Sequence, residues 1–86
     1  MEVLVRKATE EEIVGMMTYP IITREVSEFE CNYDNEETCL IVEGEVDILY
    51  GSKSITLIPG DFVVFPNGLS CVKRIKKTIK KHSKFI

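Results

Sequence analysis

The chain has 86 residues, 44% hydrophobic and 29% charged, with five Gly, three Pro and a formal net charge of −3. These proportions exclude a disordered tail and a collagen-like chain, and no apolar run approaches the roughly 20 residues of a membrane-crossing helix. A chain this short folds as one domain, residues 1–86, and hides only about 60–65% of its extended surface, so pairing into a homodimer is expected.

Met1 to Lys7 alternates well enough to predict a short first strand. Thr9-Glu10-Glu11-Glu12 then reads as a capping box, with Thr9 accepting from an orphan backbone N–H, Glu12 reaching back, and three acids suiting the helix dipole. A helix from about Glu10 to Met17 follows, with Ile13, Met16 and Met17 as one buried stripe, and Pro20 stops it. Beyond it the pattern is β. Ile21 to Phe29 carries β-branched residues, and Thr38 to Val42 is an apolar stretch broken by Glu43-Gly44. Val46, Ile48 and Tyr50 alternate with polar neighbours, Gly51-Ser52 supplies a hairpin turn, and Ser54 to Ile58 returns. Pro59-Gly60-Asp61 and Pro66-Asn67-Gly68 are turns on either side of a short buried strand, Phe62 to Phe65.

Val72, Ile75 and Ile79 sit at helical spacing. The β pattern before them leaves a lone basic helix no place to dock, so Val72 to Ile75 and Ile79 to Phe85 are predicted as two strands around Lys76-Lys77-Thr78. The expected fold class is therefore mainly β, a sandwich or barrel of short strands with one short N-terminal helix.

Charge is unevenly distributed: all fourteen acids fall within residues 2–61, while seven of the eleven Lys and Arg lie between Lys73 and Lys84. Such a block can be a phosphate footprint. Here apolar residues interrupt it and the chain is acidic overall, so it is expected to be the solvated face of terminal strands lying beside acidic ones, and neither nucleic acid nor membrane is an expected partner. Cys31, Cys39 and Cys71 are odd in number with no CxxC spacing, so no disulfide framework is expected. The opening residues lack the layout of a signal peptide, so the expected location is cytoplasmic. His82 is the only histidine and is expected to face solvent or pair with a Glu. A Cys-His nucleophile at Cys39 is not expected.

The segment from Gly60 to Cys71, GDFVVFPNGLSC, resembles the second motif of the cupin superfamily, G-D-x4-P-x-G-x2-H, at every position except the last. Glu37 to Val46, ETCLIVEGEV, resembles the end of the first cupin motif, and the two motifs cover residues 28–75. The chain is similar to small single-domain cupins of unassigned role, related to the cupin domains of ureidoglycine aminohydrolase and of an ethanolamine-utilisation protein. Arg24 to Phe29, Glu37-Thr38-Cys39 and Ile75-Lys76-Lys77 carry that likeness. The resemblance implies a single jelly-roll-like β-barrel, a double-stranded β-helix with one open mouth.

Relatives hold a divalent metal with His-x-His, a Glu and a final His. Counted back from Gly44 without a gap, those positions fall on Glu30, Asn32, Glu37 and Cys71; one residue of slippage puts Cys31 and Tyr33 in place of the first two. Neither set supplies imidazoles, so no cofactor is predicted, and a divalent metal would rest on Glu37 and Cys71 alone. Glu37 and Cys71 also have plain structural readings, as a satisfied carboxylate and a small core residue. A buried Glu37 needs a partner, and strand parity from an inward Cys71 turns Lys73 inward to supply the charge that a metal fills in relatives. The candidate pocket residues are thus Glu30, Asn32, Glu37, Cys71 and Lys73. The expected function is a binding module for a small polar molecule; the rival is a metal-dependent enzyme acting on a small acid, amine or ureido compound.

Overall fold

The computed structural model describes residues 1–86. Its elements are strand β1 (Leu4–Lys7), helix α1 (Glu10–Met16), and strands β2 (Ile21–Arg24), β3 (Ser27–Asn32), β4 (Glu37–Tyr50), β5 (Lys53–Leu57), β6 (Asp61–Phe65) and β7 (Ser70–Phe85). All seven strands join one antiparallel sheet built on β4 and β7. The far edge of β4 takes β6 along its first residues and β5 along its last, while the far edge of β7 takes β3 and then β2. Both long strands bend midway, so the two halves face each other. One core of 14 buried residues draws on both, including Cys39, Ile41, Val63 and Phe65 from one half and Ile48, Leu57, Cys71 and Ile75 from the other. The architecture is mainly β and jelly-roll-like, as expected.

The bend has a specific origin. Gly44 takes φ +97°, and the β4–β7 register shifts three times between Ile41 and Val46. These irregularities change which parity faces inward: Glu37, Cys39 and Ile41 are buried before the bend, Val46, Ile48 and Tyr50 after it. The interruption expected at Glu43-Gly44 is therefore a bulge inside one 14-residue strand. Likewise, Lys76-Lys77-Thr78 is no turn. β7 runs through it as one strand of 16 residues, because β4 continues to pair alongside.

The turns follow their residue chemistry. Tyr50 pairs with Lys53 across the two-residue Gly51-Ser52 loop, and Gly51 takes φ +56°. In the Pro59-Gly60-Asp61 turn the Asp61 carboxylate accepts from the Ile58 N–H at 2.9 Å.

Helix α1 carries both halves of the capping box: the Glu12 N–H donates to the Thr9 hydroxyl at 3.2 Å and the Thr9 N–H donates to the Glu12 carboxylate at 2.9 Å. Arg6 of β1 pairs with the same carboxylate, which sits at a pKa of about 2 chiefly through the Arg6 hydrogen bond. Only Met16 of the expected apolar stripe is buried; Ile13 and Met17 are exposed. A seven-residue helix has barely two turns, which limits the face it can set against the sheet. Thr9→Ala is expected to weaken the helix by about 1 kcal/mol, read as faster amide hydrogen exchange at Glu12.

The basic strand meets acids across the ladder. Arg74 pairs with Glu28 of β3, Lys76 with Glu45 and Asp47 of β4, and Lys80 with Glu43. Exposed pairs of this kind contribute little singly. His82 departs from expectation: it is half-buried and its Nδ1 donates to the Tyr19 carbonyl at 2.9 Å, tying the segment after α1 to β7.

Candidate functional site

A cavity of about 140 Å³ lies between the two halves of the sheet. Apolar side chains make most of its wall, among them Phe29, Ile41, Ile48, Phe65 and Ile79, and its exposed lining residues, Arg24 and Phe85, mark where it opens. Set into this wall is a charged cluster: Glu37, Lys73 and Lys81 are only 2%, 8% and 9% exposed.

Each member is placed by a strand. Glu37 begins β4, flanked by Phe65 of β6 and Phe85 of β7 in register. Tyr33 follows β3 and is pinned by its backbone, donating to the Leu69 carbonyl and accepting from the Gly68 N–H, both at 2.8 Å. Its ring stacks on Phe65 with centroids 5.1 Å apart. Along β7, residues 71, 73, 75, 79, 81 and 83 all turn inward, which delivers Lys73, Lys81 and Ser83 to the same cavity side.

The contacts close around Glu37. Its Oε1 accepts from the Tyr33 hydroxyl at 2.6 Å and lies 3.9 Å from Lys73 Nζ; its Oε2 accepts from Ser83 Oγ at 2.9 Å and lies 3.0 Å from Lys81 Nζ. Lys73 Nζ donates to the Tyr33 oxygen at 2.5 Å and lies over the Phe65 ring at 4.7 Å. Burial works to raise the Glu37 pKa, but Lys81, the Tyr33 hydroxyl and Lys73 outweigh it and hold the carboxyl below its ordinary value. Lys73 shifts downward, first because it is desolvated and then because Lys81 is near, with Glu37 opposing. Burial raises the Tyr33 phenol and keeps it a neutral donor. It also pushes the Cys39 thiol up to about 12, which makes that sulfur a poor nucleophile.

Of the residues singled out from sequence, Glu37 and Lys73 meet in this cavity. Glu30 and Asn32 do not: both are exposed, and Asn32 accepts from Ser70 at 2.7 Å beside a shallow outer depression. One residue of slippage in the count exchanges the two faces of a strand. Cys31 and Tyr33 line the cavity instead. Cys71 is buried in the core opposite Cys31 but is absent from the cavity wall. Arg24, Lys81 and Ser83 were not anticipated as site residues. Two signals were present, the alternation Phe29-Cys31-Tyr33 and the odd-numbered parity continuing past Ile75.

The residues present do not suit the divalent metal that the fold implies. No group of three His, Cys, Asp or Glu converges. The one cavity carboxylate is engaged by Tyr33, Ser83 and Lys81, two ammonium groups stand where a cation would have to sit, and no buried polar side-chain atom lacks a partner.

Comparisons with known proteins bear on this geometry. The family described as Cupin_3, EutQ-like cupin domain, matches residues 11–82. The solved structure of a DUF861 family protein from Thermotoga maritima is 36% identical, with 99% of this chain and 100% of that one covered and a TM-score of 0.93. A putative ethanolamine utilization protein Q from Salmonella typhimurium shares the fold at 14% identity, covering 96% of this chain and 68% of its own, with a TM-score of 0.68. A cupin-2 domain containing protein from Shewanella frigidimarina is 25% identical over 77% of this chain and 67% of its own, with a TM-score of 0.64. No curated protein matches.

Proposed function

The chain belongs to the EutQ-like cupin domain family, and from that premise we propose that it is a binding module whose cavity holds a small organic acid. One observation carries the reading: three cationic side chains, Arg24, Lys73 and Lys81, line an otherwise mostly apolar cavity that contains one carboxylate, Glu37. Arg24 stands at the rim and makes no ion pair of its own. A guanidinium presents paired donors that match a carboxylate, and the apolar wall suits a short carbon skeleton. An apolar cavity of comparable volume holds a ring of about six non-hydrogen atoms, which sets the ligand's size.

Isothermal titration of the full chain with acetate, propionate, glycolate and ureidoacetate tests this, the last chosen for the narrower resemblance to the cupin domain of ureidoglycine aminohydrolase. Saturable binding of at least one acid is expected, with no binding of the matching amide or amine. Arg24→Ala should weaken it about 10-fold or more, as loss of a charged hydrogen bond does. Preference for the amine, or indifference to Arg24, would contradict the reading.

A further inference from the structure

Glu37 is one negative charge facing two buried ammonium groups. It can neutralise only one of them fully, and the distances say which. Lys81 lies 3.0 Å from the carboxylate, whereas Lys73 lies 3.9 Å away and spends its hydrogen bond on the neutral Tyr33 hydroxyl. Lys73 is therefore the amine that can give up its proton at least cost.

The groups around it point the same way. Tyr33 and Cys31 face it from the β3 side, Glu37 and Cys39 from β4, Cys71 and Lys81 from β7, and Arg24 borders the same cavity from β2. Burial keeps Tyr33, Cys39 and Cys71 in their neutral forms, so Glu37 is the anion opposing the positive charges of Lys81 and Arg24. A lysine desolvated in an apolar pocket and set beside a second cation is the arrangement that favours a free, nucleophilic amine.

We propose that Lys73 is a reactive lysine that captures the carbonyl carbon of a small oxo acid held in the cavity, forming a reversible Schiff base. This rests on the reading of the cavity as an organic-acid site, and it names the class of acid. The Lys73 nitrogen lone pair attacks the carbonyl carbon, and the carbonyl π pair moves to oxygen, which takes up a proton. The resulting carbinolamine then loses water as the C=N bond forms. Amine and carbonyl thus give imine and one water, with no oxidant or reductant. The Tyr33 hydroxyl, 2.5 Å from Lys73 Nζ and 2.6 Å from Glu37 Oε1, is placed to pass the nitrogen's proton on and return one to the departing oxygen. Arg24 is the partner for the acid's carboxylate.

Incubation of the full chain with pyruvate and sodium cyanoborohydride, followed by intact mass and peptide mapping, tests this. The reduced adduct should appear on Lys73 ahead of the exposed Lys53, Lys76, Lys77 and Lys80. Lys73→Arg, which keeps a cation beside Glu37, should abolish that adduct and leave the folded circular dichroism spectrum unchanged. Should the variant not fold, lactate supplies an independent arm: it has the same skeleton without the carbonyl, and it should protect Lys73 in the unaltered protein. Adduct spread over exposed lysines, with none on Lys73, overturns the proposal. If lactate then still binds by calorimetry, the organic-acid reading survives without the Schiff base; if neither lactate nor pyruvate binds, both fall.

Discussion

Glu37→Ala is expected to lower the unfolding free energy by about 3–5 kcal/mol, because it strands the buried Lys81 ammonium without its counter-charge. For a domain of 86 residues that is a large share of a total near 5–10 kcal/mol. Urea unfolding at pH 7 measures it, and Glu37→Gln, which keeps the shape and removes the charge, separates electrostatics from packing. A loss under about 1 kcal/mol for both variants would mean that Lys73 and Lys81 shed their charge or reach water cheaply.

The same cluster fixes a pH dependence. The Glu37 pKa is lowered in the fold, so its contribution is present above the unfolded value of about 4.3 and is lost as pH falls through the lower folded value. The Lys73 pKa is also lowered, so the unfolded chain holds more protons in the alkaline window between its two values, and stability should rise with pH there as well. The unaltered protein should therefore unfold in acid through a transition that Glu37→Ala lacks.

Gly44→Ala is the second large effect, and it acts through the backbone alone. A Cβ at this position would lie 2.2 Å from the Thr78 carbonyl oxygen and 2.8 Å from that of Lys77, and φ is +97°. These are main-chain atoms of the neighbouring strand, so relief requires β4 and β7 to separate at their shared bend. A cost of about 3 kcal/mol or more is expected from strain and overpacking together. Gly51→Ala is the matched control, since φ is +56° but nothing lies within 4 Å, leaving only the left-handed penalty of about 1–2 kcal/mol. Equal shifts in urea midpoint for the two would show that the close approach at Gly44 carries no weight.

The parts of this structure that local chemistry dictates were legible in the sequence. Thr9 with Glu12, the Gly51-Ser52 hairpin and the two proline-glycine turns are each decided within four residues, and each is present. The long strands were not legible, for two different reasons. In β4 the bulges at Gly44 switch the buried parity, which makes one strand look like two. In β7 the four-residue step from Ile75 to Ile79 suits a helix face and also preserves strand parity, and three exposed residues between them imitate a turn. Reading β7 as two pieces hid Lys81 and Ser83, although Lys73 was found by the same parity rule. Glu30 and Asn32 failed because a count from Gly44 passes through the irregular segment before β4, where one residue more or less reverses every side chain.

Isoleucine methyls report on the cavity directly: Ile22, Ile41, Ile48, Ile75 and Ile79 line it, whereas Ile13 and Ile58 are exposed elsewhere. Methyl NMR of isoleucine-labelled protein titrated with propionate, and separately with zinc, is the most direct measurement. Saturable shifts of the five lining methyls with propionate, the two remote ones remaining still, are what a cationic acid-binding cavity predicts. Lining methyls that ignore the acid but respond to one equivalent of zinc would contradict it.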